Sequence, residues 1–91
     1  MQVELKHPLA KRPFGIDWSA WCARFDDTIA SATWEVPDGL TSHGDAVIGN
    51  VAIVVLSGGE SGDPLYEVAC HIVSTENAYE DEAVLPLKIE G

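Results

Sequence analysis

Apolar and polar residues alternate along much of this chain. From Thr28 to Val36 the residues Ala30, Ala32, Trp34 and Val36 share one face, and Thr33 and Glu35 the other. That period of two predicts a half-buried strand. Pro37-Asp38-Gly39 then stops it, because proline suits the first central position of a turn and glycine supplies positive φ. VAIVVLSGG is dense in β-branched residues and reads as a strand buried on at least one face. Gly58-Gly59 end it, followed by a polar loop through Asp63-Pro64. In LYEVACHIV, Tyr66, Val68, Cys70 and Ile72 point inward while Glu67 and His71 point outward. The acidic STENAYEDE is a solvent-facing loop. AVLPLKIE closes the pattern with Leu85, Leu87 and Ile89 on one face. Pro86 and Lys88 on the other suit an edge strand.

The remaining segments are less regular. Residues 1–15 contain Pro8 and Pro13 and show neither period, which predicts an extended arm. IDWSAWC alternates imperfectly and is read as a short strand, alone or with a tight turn. TSHGDAVIGN is rich in turn formers, with room for a short strand at Ala46 to Ile48. No stretch sustains a 3.6-residue apolar period, so little or no helix is expected. Together these predict an all-β fold: an arm over 1–15 and an antiparallel β-sandwich over 16–91. LSGGESGDPLYEV resembles the corner between the fifth and sixth strands of immunoglobulin-like domains, where a tyrosine hydroxyl reaches back to the loop backbone. Tyr66 takes that place, and the sandwich is expected to be immunoglobulin-like.

Composition narrows the function. At 91 residues there is one domain, and 46% hydrophobic residues are enough for a core. The longest apolar run, Val51 to Leu56, is far too short to span a bilayer, and MQVELKHPLAKRPFG lacks the apolar middle of a signal peptide. No membrane association is expected. A net charge of −10 argues against nucleic acid as a partner, since phosphate binding needs cations. The charge is unevenly placed. Residues 1–24 carry four cations against two acids (+2), and residues 25–91 one cation against thirteen acids (−12). Either the acidic body is a solvated surface, or the basic leader docks on an acidic surface of its own body or of a neighbouring copy.

Catalytic patterns are weak. Cys70 and His71 are adjacent, so on a strand they point to opposite faces and cannot readily share a metal. Ser19, Ser57, Ser61 and Cys22 lie in no nucleophile context. SGGESGD is followed by no Lys-Ser/Thr, and Glu60 and Asp63 would repel a phosphate. Glu76, Glu80, Asp81 and Glu82 lack the alternating ligand spacing of a calcium loop. Cys22 and Cys70 read as buried free thiols, with a bridge as the alternative. No enzyme activity, cofactor or metal is expected. Trp18 and Trp21 are expected to divide their work, one closing the core near Cys22 and the other partly exposed.

One resemblance covers nearly the whole chain from residue 6. It rests on Lys6 and Pro8; Asp17, Trp18, Ser19 and Trp21; Ile29, Ser31, Trp34, Val36, Pro37, Gly39 and Leu40; Leu56 to Gly59; Tyr66 and Val68; Leu85 and Leu87. In that order they resemble a group of small tailed-bacteriophage virion structural proteins. Cys22 stands where the group has leucine, and Gly15-Ile16 where it has a Gly-Phe pair; both keep an apolar residue. The resemblance implies a non-enzymatic adaptor in the head–tail or tail-fibre region, or alternatively a capsid decoration protein on the outer head. It further implies binding to capsid, connector, tail or fibre proteins, in several copies or as a homo-oligomer. Synthesis would be in the host cytoplasm and residence in the virion. The residues expected to touch partners are Lys6, Lys11, Arg12, Trp18 and Trp21.

Overall fold

A computed structural model describes residues 3–62 and 65–90. Asp63 and Pro64 of the expected polar loop lie outside the described residues, as do positions 1, 2 and 91. The elements in chain order are β1 (Glu4–Lys6), β2 (Arg12–Asp17), α1 (Ser19–Phe25), β3 (Ile29–Glu35), β4 (Leu40–Ile48), β5 (Val51–Gly58), β6 (Tyr66–Ser74) and β7 (Glu80–Ile89). They form two sheets, one ordered β1-β7-β6-β3 and the other β2-β5-β4. All pairings are antiparallel except β1 with β7.

The alternation read along the chain becomes the facing surfaces of these sheets. Phe14, Ile16, Ala52, Val54 and Leu56 are buried from one side, and Val68, Cys70, Ile72, Leu85, Leu87 and Ile89 from the other. Each fully buried aliphatic side chain contributes about 1.5–3 kcal/mol, which makes these two rows the main source of stability. Tyr66 opens β6, and its hydroxyl accepts the Glu60 N–H at 3.1 Å, fixing the loop that crosses between the sheets.

Five expectations are corrected. In β3 a register shift between Ile29 and Ser31 changes the phase, so Ile29 is buried and Ala30 is exposed, while Ala32 and Trp34 keep the inward face. A bulge of this kind adds one residue to the alternation. β4 runs over nine residues, not three, because backbone pairing to β5 holds it although most of its side chains are exposed. β7 is an interior strand: β1 covers Leu87 to Ile89, beginning one residue past Pro86, which has no N–H to offer a ladder.

The other two corrections concern the N-terminal third. Residues 19–25 are helical, and Asp17 starts the turn by accepting the Ser19 N–H at 2.9 Å. Asp26, in the left-handed conformation, ends it. The segment expected to be an arm over 1–15 contributes β1 to one sheet and most of β2 to the other. Phe14 is 5% exposed and Lys6 1%. Prolines at 8 and 13 conceal this from a pattern search, since Pro8 lies in the turn between the strands and Pro13 on an edge strand.

Candidate functional site

The five residues expected to meet partners are distributed over both ends of the sandwich. β2 starts at the β1–β2 turn with Arg12 and finishes at Asp17 beside α1, a span of about 20 Å at strand rise. The molecule measures 42 × 22 × 18 Å, so the turn and the helix mark different ends.

At the turn end, His7 O accepts the Ala10 N–H at 3.0 Å and His7 Nδ1 accepts the Leu9 N–H at 3.1 Å, closing a tight bend. Leu9 at its tip is 90% exposed. Lys11 and Arg12 follow on the surface. Arg12 donates to Leu5 O at 3.0 Å and its guanidinium lies 5.2 Å from the Phe14 ring centre. Neither cation forms an ion pair with a described residue. Lys6 is different and corrects the expectation that it docks a partner. Its ammonium turns inward, donating to Gly58 O at 2.6 Å and His7 O at 2.9 Å. Burial, and then the Arg12 charge, hold its pKa below the usual lysine range.

Gly58-Gly59 are explained by the same corner. Gly59 has φ +92°, and a Cβ there would stand 2.7 Å from Ile89. Its N–H donates to Gly39 O at 2.8 Å. The glycine-rich stretch is therefore a close-packed turn.

At the helix end the aromatic residues form a continuous row. Trp18, 7% exposed, belongs to the core; Trp21 packs against it edge-on at 6.0 Å. Trp21 meets Phe25 at 5.0 Å, and Phe25 meets Tyr79 at 5.6 Å. Exposure grows along the row, to 38% at Phe25 and 47% at Tyr79. Trp21 Nε1 donates to Asp81 at 2.9 Å, tying α1 to β7. Trp18 is thus the plug and Trp21 the half-buried neighbour, the division of work expected of them. Tyr79 belongs to the segment expected to face solvent, and Phe25 is the member of the row that the alternation pattern does not mark. The 3-and-4 spacing of Trp18, Trp21, Cys22 and Phe25 is the signal that locates the helix face, and hence Phe25.

Acids surround this row. Asp26, Asp27, Thr28 and Glu76 line an open depression between α1 and the β6–β7 loop. Asp27 is internally satisfied: Oδ1 accepts the N–H groups of Thr28 and Glu76 at 2.8 and 3.0 Å, and Oδ2 those of the Asn77 backbone and side chain at 3.1 and 3.0 Å. These donors, the Glu76 N–H foremost, hold its carboxyl well below the usual carboxylate range. Asp26, Glu76 and Asp81 form no ion pair with a described residue. Arg24, the last cation of α1, lies 5.4 Å from the Phe25 ring centre.

The remaining described polar groups pair off locally. The fold brings His43 and Ser57 to 2.6 Å across β4 and β5, a pairing invisible in sequence. No described carboxylate bonds to the His43 ring to orient it as a base. His71 and Glu80 pair at 2.7 Å on the β6–β7 surface. Cys22 and Cys70 are buried free thiols, and burial pushes Cys70 up to about 11, where it is a poor nucleophile. Among the described residues no three His, Cys, Asp or Glu side chains converge as a metal site. No described helix is long and apolar enough to cross a membrane.

A family model described as podophage GP4 fiber-tail adaptor protein gp77 matches residues 6–87. No curated protein and no solved structure matches the chain.

Proposed function

Because the chain belongs to the podophage GP4 fiber-tail adaptor protein family, gp77, we propose that it joins a tail protein to a fibre protein in a phage virion. The observation that carries this is the family match, which runs from Lys6 to Leu87 and so takes in both sheets. The role is structural and non-enzymatic. It is supported by the family match and by surfaces that offer exposed apolar and charged contacts.

The contact with another virion protein is made by the β1–β2 turn, where Lys11 and Arg12 flank the exposed Leu9. Trp18 and Lys6 act from inside, by holding α1 and the turn in place, and Trp21 borders the surface. The net charge of −10 supports protein rather than nucleic acid as the partner. The sandwich itself is immunoglobulin-like in this reading. Supporting it are the division of β2-β5-β4 from β7-β6-β3, and a tyrosine at the start of β6 bonded to the preceding loop.

Quantitative mass spectrometry of purified virions tests the assignment. Tens of copies or fewer per particle, cross-linked to tail and fibre proteins, are expected. Absence from the particle, or hundreds of copies on the head, would overturn it. In the same particles Lys11→Glu with Arg12→Glu should lower incorporation at least about tenfold, the effect of placing like charges across a contact.

A further inference from the structure

We propose that the surface receiving the β1–β2 turn is the acidic aromatic end of a second copy of this chain. This rests on the reading that the turn is a docking element, and names what it docks on. Three observations point to a copy of the same chain.

The first is that the two ends are complementary in polarity and charge. Leu9 is the most exposed of the described large apolar side chains and lies beside Lys11 and Arg12. Phe25 and Tyr79 present an exposed apolar surface beside the carboxylates of Asp26 and Glu76. An aliphatic side chain set on aromatic rings, with cations reaching adjacent acids, makes an apolar centre and a charged rim, as protein interfaces do.

The second is that the contact cannot be made within one molecule. The turn and α1 sit at different ends of a sandwich 42 Å long. Two different patches that meet between copies form a heterologous, head-to-tail contact, which propagates until a ring closes or a filament grows.

The third is electrostatic. At a net charge of −10, copies repel each other in most orientations. Of the other cations, Lys6 is bonded internally, Lys88 pairs with Glu90 at 3.3 Å, and Arg24 is a single exposed charge over Phe25, much as Arg12 lies over Phe14. Lys11 and Arg12 are therefore the two adjacent exposed cations that form no ion pair with a described residue. Juxtaposing turn and helix end sets these cations against Asp26 and Glu76 and so lessens the repulsion between copies.

Sedimentation velocity of the full-length chain over a concentration series up to millimolar provides the test. The unaltered protein should form assemblies larger than a monomer that dissociate on dilution. Lys11→Glu with Arg12→Glu should weaken association at least about tenfold, and so should Asp26→Asn with Glu76→Lys. Asparagine is chosen at position 26 because it tolerates the left-handed backbone there. Mixing the two reversed variants should restore assemblies that neither forms alone. A wild type that stays monomeric throughout the series would overturn the proposal, and this needs no variant to fold. Association unaffected by either reversal, or a mixture that remains monomeric, would overturn it too. If the wild type is monomeric while the turn variant still fails to enter virions, the turn docks on a different virion protein and the adaptor reading stands.

Discussion

Lys6 shows how a cation is held inside a small β-sandwich with no counter-ion among the described residues. Its stem fills an inward position of β1, and its ammonium reaches two carbonyls, Gly58 O and His7 O. A charge buried without partners would be far more costly, and two charge-assisted hydrogen bonds offset much of that. Lys6→Met keeps the apolar stem and loses both bonds, so it should destabilise the fold by about 1.5–3 kcal/mol. Lys6→Ala also removes the stem and should cost more. Urea unfolding monitored by tryptophan fluorescence would measure both. Equal stability of all three proteins would show that the side chain is not part of the interior. The pairing with Gly58 links residues 52 positions apart. In the sequence Lys6 is one of four cations in a basic leader, and nothing local marks it as the inward one.

At the scale of elements, α1 and the β6–β7 hairpin depend on each other through Asp27. Its carboxylate takes N–H groups from Glu76 and Asn77 and so shapes the loop from a position 49–50 residues earlier in the chain. Ser74 and Tyr79 close the hairpin: Ser74 Oγ accepts the Tyr79 N–H at 2.8 Å, and Tyr79 O accepts the Ser74 N–H at 2.8 Å. Because the folded pKa of Asp27 is depressed, its contribution is present above the unfolded carboxylate value, about 3.9. That contribution is lost as pH falls from there through the folded value. Thermal melts across an acid series should therefore show stability dropping below about pH 4. Asp27→Asn should be less stable at neutral pH and show a shallower acid-side loss. An identical pH slope in the variant would remove Asp27 from this role. The helix was the element least legible beforehand. Seven residues carry only two turns, so Trp18, Trp21, Cys22 and Phe25 fit a helical period too briefly to displace an imperfect strand.

For the whole molecule, the N-terminal residues decide whether the described residues form seven strands or five and a fragment. β1 covers β7 in parallel, and β2 pairs with β5 through six consecutive residues from Arg12 to Asp17. Deleting residues 1–13 would remove β1, Lys6 and the start of β2, uncovering Leu87 to Ile89. The truncated chain should lose its cooperative thermal transition or melt far lower, and differential scanning calorimetry would record this. A truncation with an unchanged melting temperature would restore the picture of an arm attached to a complete sandwich. The turn between β1 and β2 can still be the part that meets a partner. It does so from a fixed position on the fold, which lowers the ordering cost that a free arm pays on binding.

Alternation along the chain was enough to say which residues of β6 and β7 face inward, since alternate side chains of a strand leave on opposite sides whatever its neighbour, whereas for β5 it showed only that at least one face is buried. The sequence also placed the turn at Pro37 to Gly39 and the tyrosine at the crossover, because those rest on local backbone demands. The tertiary structure alone decided where β1 and β2 pair, which cation turns inward, and that Phe25 and Tyr79 complete an aromatic row. These depend on segments distant in sequence. A three-residue strand has no stability of its own, so its place is set by the edge it finds and the groups it satisfies there.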